Sequence, residues 1–489
     1  MTEHQVVVAG CGPVGAFLAA ELRLAGASVV VLERRTEPDP HSRAFRLQTR
    51  TLELLDHRGL LEKFQATAIK IPKTHFAAIR PPLLDLDRLD SEHPFTLGIP
   101  QTRTEAYLEE HARGLGAQIR RGHEVVGLTQ DEDQVRLTVR GPDGEYELTA
   151  GYLVGCDGGR STVRKLAGIG FPGRAGEVSA LLGDVTLDAP DEFPSGIPGT
   201  VRTPDGLVMA VGMPGEGIRV FTCEFGREVP DRDRPVTLDE LRAAVRRVTG
   251  RDIGMREPTW MARFTDASRL VENYRAGRVF LAGDAAHVHF PIGAQGLNLG
   301  LQDAMNLGWK LGARIAGRVG EEVLDTYDTE RRPAAERVIL ETRAQLSLMD
   351  PAENIDPVRE LIRELLAIDE VNLHLSRLLT GLDTRYPAPD GAHPLVGRLV
   401  PAVPLEGGVR VAELLRPARA TLLDLTGRFP LPDGWAAHVD RVELKQADAA
   451  DLGAVLIRPD GYVAWAADAD GDDRGLAAAL ATWLGEPAA

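Results

Sequence analysis

The sequence predicts an α/β protein whose first unit binds a dinucleotide. The chain opens with an apolar strand, a glycine-rich turn and a helix, and two later predicted strands end in an Asp-Gly or a Gly-Asp pair. Hydrophobic residues make up 43% of the 489 residues and charged residues 26%, as in ordinary folded domains. A chain of this length suits about three domains.

Composition argues against several classes of partner. The formal net charge of −16 disfavours binding to a nucleic-acid backbone. Cys11, Cys156 and Cys223 lie far apart and lack metal-ligand spacing, so we expect reduced thiols and no metal site. No cationic segment precedes the first apolar run, and no charge-free apolar stretch reaches the length of a membrane span. We expect a cytoplasmic protein that binds neither nucleic acid nor membrane.

The first element is a βαβ unit with three spaced glycines. Gly10 permits a tight turn, Gly12 lets the backbone approach a pyrophosphate, and Gly15 lets helix and strand pack closely. The helix N-terminus adds free N–H donors. Glu33, at the end of the second strand, would accept hydrogen bonds from a ribose. The predicted strand, helix and strand cover residues 5–10, 12–26 and 27–32.

The next segments carry weaker signals. A polar loop with Arg43 and Arg46 precedes a leucine-rich helix, and by themselves both arginines are interpreted as solvated. A proline-rich excursion away from the first unit and then a helix follow. A hairpin turn at 141–144 indicates a three-stranded meander. The predicted excursion, helix and strands cover 72–104, 105–115, 118–126, 134–140 and 145–149.

A strand from Tyr152 leads into Asp157 and Gly158, then a basic helix start. Glycine N–H groups and either Arg160 or Arg164 would suit a phosphate. The alternative is a plain strand-turn-helix that Ser161 caps.

A third strand, from residue 277, ends in Gly283 and Asp284, and a loop of small residues follows before a helix from about residue 299. This shape suits a cofactor cradle, although an ordinary strand-loop-helix junction would give the same pattern.

Together these three motifs resemble the aromatic-hydroxylase group of FAD-dependent monooxygenases, the relatives of para-hydroxybenzoate hydroxylase. Within the group, the pattern is similar to bacterial aromatic-polyketide hydroxylases and rifampicin monooxygenase. The resemblance implies a Rossmann-type, glutathione-reductase-like FAD-binding domain, a β-sheet substrate domain and a thioredoxin-like C-terminal domain. It implies an FAD-binding unit over 1–175, with 72–100 contributing to the substrate domain, a substrate-binding sheet over 176–270, completion of the FAD-binding unit with long helices over 271–390, and a cysteine-free thioredoxin-like unit over 391–489.

The resemblance also implies roles for individual residues. Arg43 and Gln101 match positions that touch the phosphate and ribityl parts of FAD, and the motif of Asp157 is linked to both FAD and NADPH. The implied cofactor-binding residues are Gly10, Gly12, Pro13, Val14, Gly15, Glu33, Arg34, Arg43, Gln101, Asp157, Gly158, Gly283, Asp284, Pro291, Gly293, Gly296, Leu297 and Asn298.

The remaining segments form the substrate sheet and the C-terminal half. Strands are predicted at 181–187, 206–213 and 218–225, with a helix at 237–248. Candidates for the substrate wall, which could equally be core, are Phe76, Phe95, Met213, Phe221, Phe225, Trp260 and Phe290. Pro333 should stop or kink the long helix after the third motif, and a second helical stretch should cover 335–382. A hairpin through 459–461 marks the C-terminal unit.

The implied activity is monooxygenation of an aromatic polyketide or polycyclic phenol, in antibiotic biosynthesis, through a flavin hydroperoxide formed from O2 after NADPH or NADH reduces FAD. No catalytic side chain is then required. Inactivation of a rifampicin-type antibiotic and Baeyer-Villiger insertion stay open. A flavin oxidase or a non-catalytic flavin-binding protein would also suit the motifs, whereas a halogenase would carry a tryptophan-rich segment that is missing here. A homodimer would suit the C-terminal unit.

Overall fold

The computed structural model describes residues 4–193, 196, 198–213, 217–231, 233–446 and 451–487. None of the helices within these ranges has the length and apolarity needed to cross a bilayer. The elements of the first unit are β1 (His4–Ala9), α1 (Pro13–Leu24), β2 (Val29–Glu33), β3 (Arg46–Leu47), α2 (Thr49–Asp56), α3 (Leu61–Gln65), β4 (Ile69–Ile71), β5 (Lys73–Phe76), β6 (Ile79–Asp85), β7 (Thr96–Gly98), α4 (Gln101–Gly114), β8 (Gln118–Arg121), β9 (Glu124–Gln130), β10 (Val135–Gly141), β11 (Gly144–Gly155) and α5 (Thr162–Leu166).

The rest of the described chain adds a second large sheet, the two long helices α7 and α8, several shorter helices and a C-terminal sheet. These elements are β12 (Gly173–Arg174), β13 (Ser179–Leu187), β14 (Gly199–Thr203), β15 (Gly206–Met213), β16 (Gly217–Glu224), α6 (Leu238–Thr249), β17 (Met255–Phe264), β18 (Ser268–Leu270), β19 (Arg275–Ala276), β20 (Val279–Leu281), β21 (His287–Val288), α7 (Gly296–Ile315), α8 (Glu321–Met349), α9 (Asp356–Leu366), α10 (Asp369–Thr380), α11 (Val411–Leu414), β22 (Ala420–Asp424), β23 (Val439–Glu443), β24 (Leu452–Ile457), β25 (Val463–Asp468) and α12 (Leu476–Leu484).

The first unit is built on a sheet in the order β19-β20-β11-β1-β2-β8, parallel from β20 to β8. Its central strands are runs of β-branched residues that are almost fully buried, as expected for a parallel sheet covered on both faces. The three predicted strands that lead into the sequence motifs are neighbours in this sheet. They are β1 before Gly10, β11 before Asp157 and β20 before Gly283. Their carboxyl ends therefore meet at one edge.

Two details differ from the sequence prediction. The segment 118–126 is split, because β8 joins the parallel sheet while β9 forms the meander with β10 and β11. β11 is one strand rather than two, since Gly151 stays extended against β1 and a Cβ there would lie 2.9 Å from the Gln5 carbonyl oxygen. β11 thus connects the meander directly to the parallel sheet.

The second sheet is antiparallel in the order β14-β15-β16-β13-β17, of which β14 and β17 were not predicted. Helix α6 covers one face with its buried Leu241, Ala244 and Val245. The other face packs against Phe290 and the β5–β6 turn. This second face is therefore the one turned toward the first unit.

The prediction that Pro333 stops a helix is wrong, because α8 runs through it from Glu321 to Met349. The kink that the sequence analysis gave as the alternative stays a prediction. A helical proline costs about 3 kcal/mol and leaves one carbonyl, here that of Thr329, without a donor. Thr329 is exposed, so water can hydrate that carbonyl. Glu330 and Arg331, immediately before the proline, are anchored by buried ion pairs that hold this turn in place.

The C-terminal sheet, in the order β23-β22-β24-β25, packs on α7 and α8. Arg458 at the end of β24 donates to both Glu330 oxygens, at 2.5 and 3.1 Å, and pairs with Asp460. Lys310 on α7 donates to Glu330 at 2.6 Å. Burial alone would raise the pKa of Glu330, but Arg458 and Lys310 outweigh it and lower that pKa to about 2. The cluster is thus charged, and it joins the C-terminal sheet to the long helices.

Replacing Arg458 with alanine should strongly destabilise the protein. Glu330 and Asp460 would stay buried without their shared partner, a loss that typically costs about 3–5 kcal/mol. Urea unfolding followed by tryptophan fluorescence would measure it, since Trp483 lies 4.3 Å from the guanidinium. Arg474→Ala is the control, because its pair with Asp472 is exposed. Equal unfolding midpoints for the two variants would contradict the expectation.

Candidate functional site

The glycine-rich turn after β1 has the geometry that its sequence predicts. Gly10 has φ +102°, and a Cβ there would lie 2.4 Å from the Cys156 carbonyl oxygen; a Cβ on Gly15 would lie 2.0 Å from the Gly10 oxygen. Gly12 differs, since its φ of −71° suits any residue and a Cβ would meet nothing within 4 Å. Gly10 and Gly15 are therefore required by the protein's own packing. Gly12 leaves open space beside the helix start.

Helix α1 begins in that open space without a side-chain cap. Pro13 occupies the first turn, and the first intrahelical bond of the turn runs from Ala16 N–H to the Gly12 carbonyl, at 3.0 Å. The N–H groups of Val14 and Gly15 thus have no acceptor within the helix, and the positive end of the helix dipole adds to them. Such a terminus is a binding site for a phosphate.

Glu33 lies at the carboxyl end of β2, next to this turn. Its carboxylate accepts from Cys11 N–H at 2.8 Å and from Arg35 N–H at 2.9 Å. A carboxylate has about four acceptor positions, so two stay available for ribose hydroxyls. Arg34 is exposed beside it.

The Asp157 motif is a scaffold. The Asp157 carboxylate accepts from the N–H groups of Thr162 at 2.7 Å and Val163 at 3.0 Å, and Ser161 caps α5. The Arg164 guanidinium donates to the Ala285 and Gly159 carbonyls, at 2.8 and 3.0 Å.

The expectation that Arg160 or Arg164 meets a phosphate does not fit this arrangement. Arg164 is engaged with backbone carbonyls, and Arg160 pairs with Asp233 at the surface. Gly158 has φ +82° and open space around it, so its contribution is the turn itself.

The third motif meets the first. A Cβ on Gly283, which has φ +62°, would lie 3.0 Å from Cγ2 of Val14 in α1. The side chain of Asp284 is exposed, and it makes no hydrogen bond or ion pair with any residue that the structure describes. The carboxylate is therefore free to accept a hydrogen bond from a ligand at the edge where the strands end.

A buried carboxylate that the sequence did not reveal, Asp303 on α7, positions this third motif. Asp303 accepts from Gly283 N–H at 3.0 Å, lies 2.8 Å from Nε2 of His287, and pairs with Arg331 at 2.8 Å. Burial would raise the pKa of Asp303, but Arg331 and His287 hold it below its ordinary value. A lone aspartate in a helix gives no sequence signal, and only the fold shows its role.

The loop from Pro291 to Asn298 leads into α7, which begins without a side-chain cap. Gly293 and Ala294 both have positive φ, +74° and +55°. The Asn298 amide donates to the Ala294 and Arg46 carbonyls, at 2.7 and 3.0 Å, and accepts from Gln48 N–H at 2.8 Å. The Asn298 side chain thus positions backbone rather than facing a ligand. Gly296 and the half-buried Leu297 form the first turn, whose N–H groups are free; Pro291 is exposed.

Gln48 is a second residue that the sequence analysis missed. Its side-chain nitrogen donates to the Gly293 carbonyl at 2.5 Å. Its Oε1 atom is buried and has no partner in the described part of the chain. A cavity of about 270 Å³ opens beside Gln48 and Asn298, between α7, α8 and α10.

Arg43 and Gln101 differ in their surroundings. Gln101 accepts from Ala44 N–H at 2.9 Å and so holds the loop that carries Arg43. The Arg43 side chain is 66% exposed and faces Asp39 at 3.9 Å. Arg219, which the sequence did not single out, donates to the Arg43 carbonyl at 2.9 Å while it pairs with Asp184 at 2.7 Å. The loop is thereby attached to the second sheet.

Most of the aromatic candidates meet on one face of that sheet. Phe221, Phe264 and Phe290 form a ring cluster with centroids 5.3–6.0 Å apart, and Phe76 and Phe225 pack beside it. Met213 on β15 and Trp260 on β17 lie on the same face of the sheet as this cluster, because side chains alternate between the two faces along each strand. Trp260 stacks on His41, 6.2 Å away.

Phe95 does not join this cluster. It packs against the core of the first unit, with the Lys70 amine 4.6 Å from its ring centre.

The site residues fit FAD on this geometry. Two uncapped helix starts, α1 and α7, and the free Asp284 carboxylate suit a pyrophosphate and the hydroxyls of a ribityl chain. The space left by Gly12 allows a close approach, and the strained Gly293–Ala294 turn precedes the α7 terminus.

Comparisons with known proteins agree with this fit. The FAD-binding-domain family model matches residues 3–342, and the model of the aromatic-ring hydroxylase C-terminal region matches residues 393–487. The chain is 48% identical over 504 residues to the 12-dehydrotetracycline 5-monooxygenase/anhydrotetracycline 6-monooxygenase of Streptomyces rimosus, covering 99% of both. It is 44% identical over 485 residues to a rifampicin monooxygenase of Streptomyces venezuelae, covering 98% of both. The solved structure of an anhydrotetracycline hydroxylase from Streptomyces rimosus superposes with a TM-score of 0.93 at 47% identity, over 99% of this chain and 100% of that one.

Gly12→Ala should weaken FAD binding while leaving the FAD-free protein as stable as before. The methyl group meets no protein atom, yet it would fill the space through which a pyrophosphate approaches the helix. We expect a rise in the FAD Kd of about tenfold or more, measured by titrating apoprotein. Gly114→Ala, also facing open space, is the control. Full FAD affinity in Gly12→Ala would refute the predicted role of this glycine.

Asp284→Ala should likewise reduce FAD retention. The exposed carboxylate has no partner in the described part of the protein, so its removal should leave the melting temperature of the FAD-free protein unchanged. A lost charge-assisted hydrogen bond corresponds to about 10- to 100-fold in Kd. Flavin content after gel filtration would be compared with that of Asp133→Ala, an exposed aspartate in the β9–β10 turn. Equal flavin content in the two variants would count against the assignment.

Proposed function

The chain belongs to the family of FAD-binding aromatic-ring hydroxylases, and we propose that it oxygenates an aromatic polyketide with NAD(P)H and O2. The family resemblance drawn from the motifs is thereby confirmed. The observation that carries the proposal is the meeting of three distant motifs: the Gly10 turn contacts Cys156, and Gly283 contacts Val14. Separate segments thus build one cofactor cradle at the carboxyl ends of neighbouring strands.

FAD, when bound, would carry electrons from NAD(P)H to O2 and so activate the O2 that gives one oxygen atom to the aromatic ring and the other to water. We assign the α1 terminus at Val14 and Gly15 to the pyrophosphate and Glu33 to the adenosine ribose. Asp284 would bind the ribityl chain or the pyrophosphate. The α7 terminus would face the ring system, where its positive end stabilises negative charge.

The substrate would lie against the aromatic face of the second sheet. Phe221, Phe290 and Phe76 belong to an apolar aromatic wall, in which the Phe221 and Phe290 rings meet edge to face, and this wall would exclude water and orient a fused ring. The proposed reaction requires no nucleophilic side chain. The protein would therefore contribute by positioning the substrate, excluding water and stabilising negative charge.

The substrate class rests on the relatives. One acts by name on tetracycline intermediates, and we propose a related aromatic polyketide in antibiotic biosynthesis. The 44% identity to a rifampicin monooxygenase supports a second candidate, the inactivation of an antibiotic of that type.

Further features stay predictions of this proposal. The strand orders are consistent with a Rossmann-type first unit and a thioredoxin-like C-terminal unit. Burial raises the pKa of the Cys11 thiol to about 12, so that thiol stays protonated. Three unpaired thiols suit a cytoplasmic location. A homodimer stays an expectation from the sequence.

The test is NADPH oxidation in air by FAD-loaded protein, with and without a panel of polycyclic phenols, anhydrotetracycline and rifampicin. We expect one class of aromatic compound to accelerate NADPH oxidation and to gain one oxygen atom, seen by mass spectrometry. NMR of the product separates ring hydroxylation from ring insertion. Peroxide release without an oxygenated product across the whole panel would contradict the proposed function and favour an oxidase.

A further inference from the structure

Arg46 occupies a place that its sequence context did not suggest. In β3 it pairs with Gly98 of β7, and its carbonyl accepts from the Asn298 amide at the start of α7. The next residue, Leu47, is fully buried in the core of the first unit. Because successive strand residues point to opposite sides, the Arg46 side chain leaves that core. The interpretation of Arg46 as a solvated surface arginine is wrong.

The guanidinium of Arg46 has no counter-ion among the residues that the structure describes. Its one hydrogen bond to the described residues goes to Thr74 Oγ1 at 2.7 Å, and none of their carboxylates lies within ion-pair distance. Surrounding protein, with the charge of Arg80 nearby, lowers the pKa of Arg46 to about 10, so it stays charged at neutral pH. The residue is only half-buried. The guanidinium therefore stays accessible from outside the core, with up to four N–H donors available.

The groups around Arg46 add no negative charge. Arg80 is a second cation. Burial, together with Arg80 and Arg46, lowers the pKa of His75 to about 3, so that imidazole is neutral. Its Nδ1 atom accepts from Ala78 N–H, and the remaining ring nitrogen is then a further donor. Arg46 and its neighbours thus present donors and positive charge.

The Arg46 guanidinium lies near the aromatic wall. Its partner Thr74 is two residues from Phe76 on β5, with the ladder to β6 irregular between them. His75, the residue between, lies close enough to Arg46 for the guanidinium charge to lower the pKa of its imidazole. Phe76 packs with the cluster of Phe221 and Phe290. A ring lying on that wall could place a substituent at the Arg46 guanidinium.

We propose that Arg46 binds an anionic oxygen on the substrate, so that the natural substrate is an aromatic compound bearing a carboxylate or an ionised enol or phenol. The inference rests on the proposed function, because it places the substrate on the aromatic wall. A guanidinium presents paired N–H donors that match such oxygens, and an enclosed cation is stabilised by an opposite charge. Arg46 is then a specificity-determining residue of the site.

The test compares matched ligands by equilibrium dialysis with FAD-loaded protein. One pair is hydroxynaphthoic acid and hydroxynaphthamide, and the other is the acidic phenol dinitronaphthol and its methyl ether. We expect the wild-type protein to prefer at least one anion by about 10- to 100-fold over its neutral partner, as for a charge-assisted hydrogen bond. Which pair shows the preference distinguishes a carboxylate from an ionised phenol or enol.

Arg46→Gln should abolish this preference by weakening the anion alone, and Arg46→Lys should restore part of it. Arg136→Gln, an exposed arginine of the meander, is the control. FAD content and melting temperature establish that each variant is folded. Equal binding of anion and neutral partner by the wild-type protein would overturn the proposal. So would an Arg46→Gln variant that keeps the preference, or one that changes only the KM for NADPH.

The outcomes separate the two proposals. If no aromatic compound accelerates NADPH oxidation but the Arg46-dependent anion preference holds, the proposed function fails and the binding role of Arg46 stands. If oxidation is accelerated and the product gains oxygen while Arg46→Gln binds as the wild type does, the function stands and the role of Arg46 fails.

Discussion

The buried carboxylate of Asp303 is the constraint on which the cofactor side of the molecule depends. It holds Gly283 by a backbone N–H, His287 by a ring nitrogen and Arg331 by an ion pair. A charge so deeply buried is tolerated only with partners of this kind. Because those partners come from the third motif and from α8, the loop carrying Asp284 can adopt only one position relative to the two long helices.

The same turn of α8 also joins the C-terminal unit to the cofactor loop. Arg331 points toward Asp303, and its neighbour Glu330 points toward Lys310 and Arg458. Two neighbouring residues just before Pro333 therefore anchor α8 to α7 at two places, and one of these anchors also includes Arg458 of the C-terminal unit. The C-terminal unit contains no cysteine, and its contribution is structural. Through Arg458 it stabilises the helix that positions the cradle.

The sequence predicted the parts of the site that depend on local backbone geometry. Gly10, Gly12 and Gly15 have the turn, the open space and the close contact that their spacing indicates, because those constraints act within a few residues. The sequence could not predict the pairings made at long range. Arg164 was a candidate phosphate ligand, but its guanidinium donates to the Ala285 carbonyl in a distant segment. The Asp303 carboxylate likewise accepts from Gly283 N–H, in another element of the fold.

Arg43 and Arg46 lie close together in the sequence, which could not show that their exposure differs. Their exposure depends on long-range packing, because Arg46 is in β3 and pairs with β7 whereas Arg43 lies in the loop before it. Arg43 is exposed, while Arg46 three residues later is half-buried.

The satisfaction of polar groups separates structure from function here. Around Glu330, four donors converge on one carboxylate, so that carboxylate is satisfied without a ligand. Near the cradle, the two helix starts and the exposed Asp284 carboxylate keep unused hydrogen-bonding capacity. Buried side-chain atoms without a partner also occur elsewhere in the described residues, for example Asn306 Oδ1 and Thr200 Oγ1, so an unpaired atom alone does not mark a site. What distinguishes this edge of the sheet is that two uncapped helix starts and a free carboxylate meet there, a combination that suits the phosphates and hydroxyls of a bound cofactor.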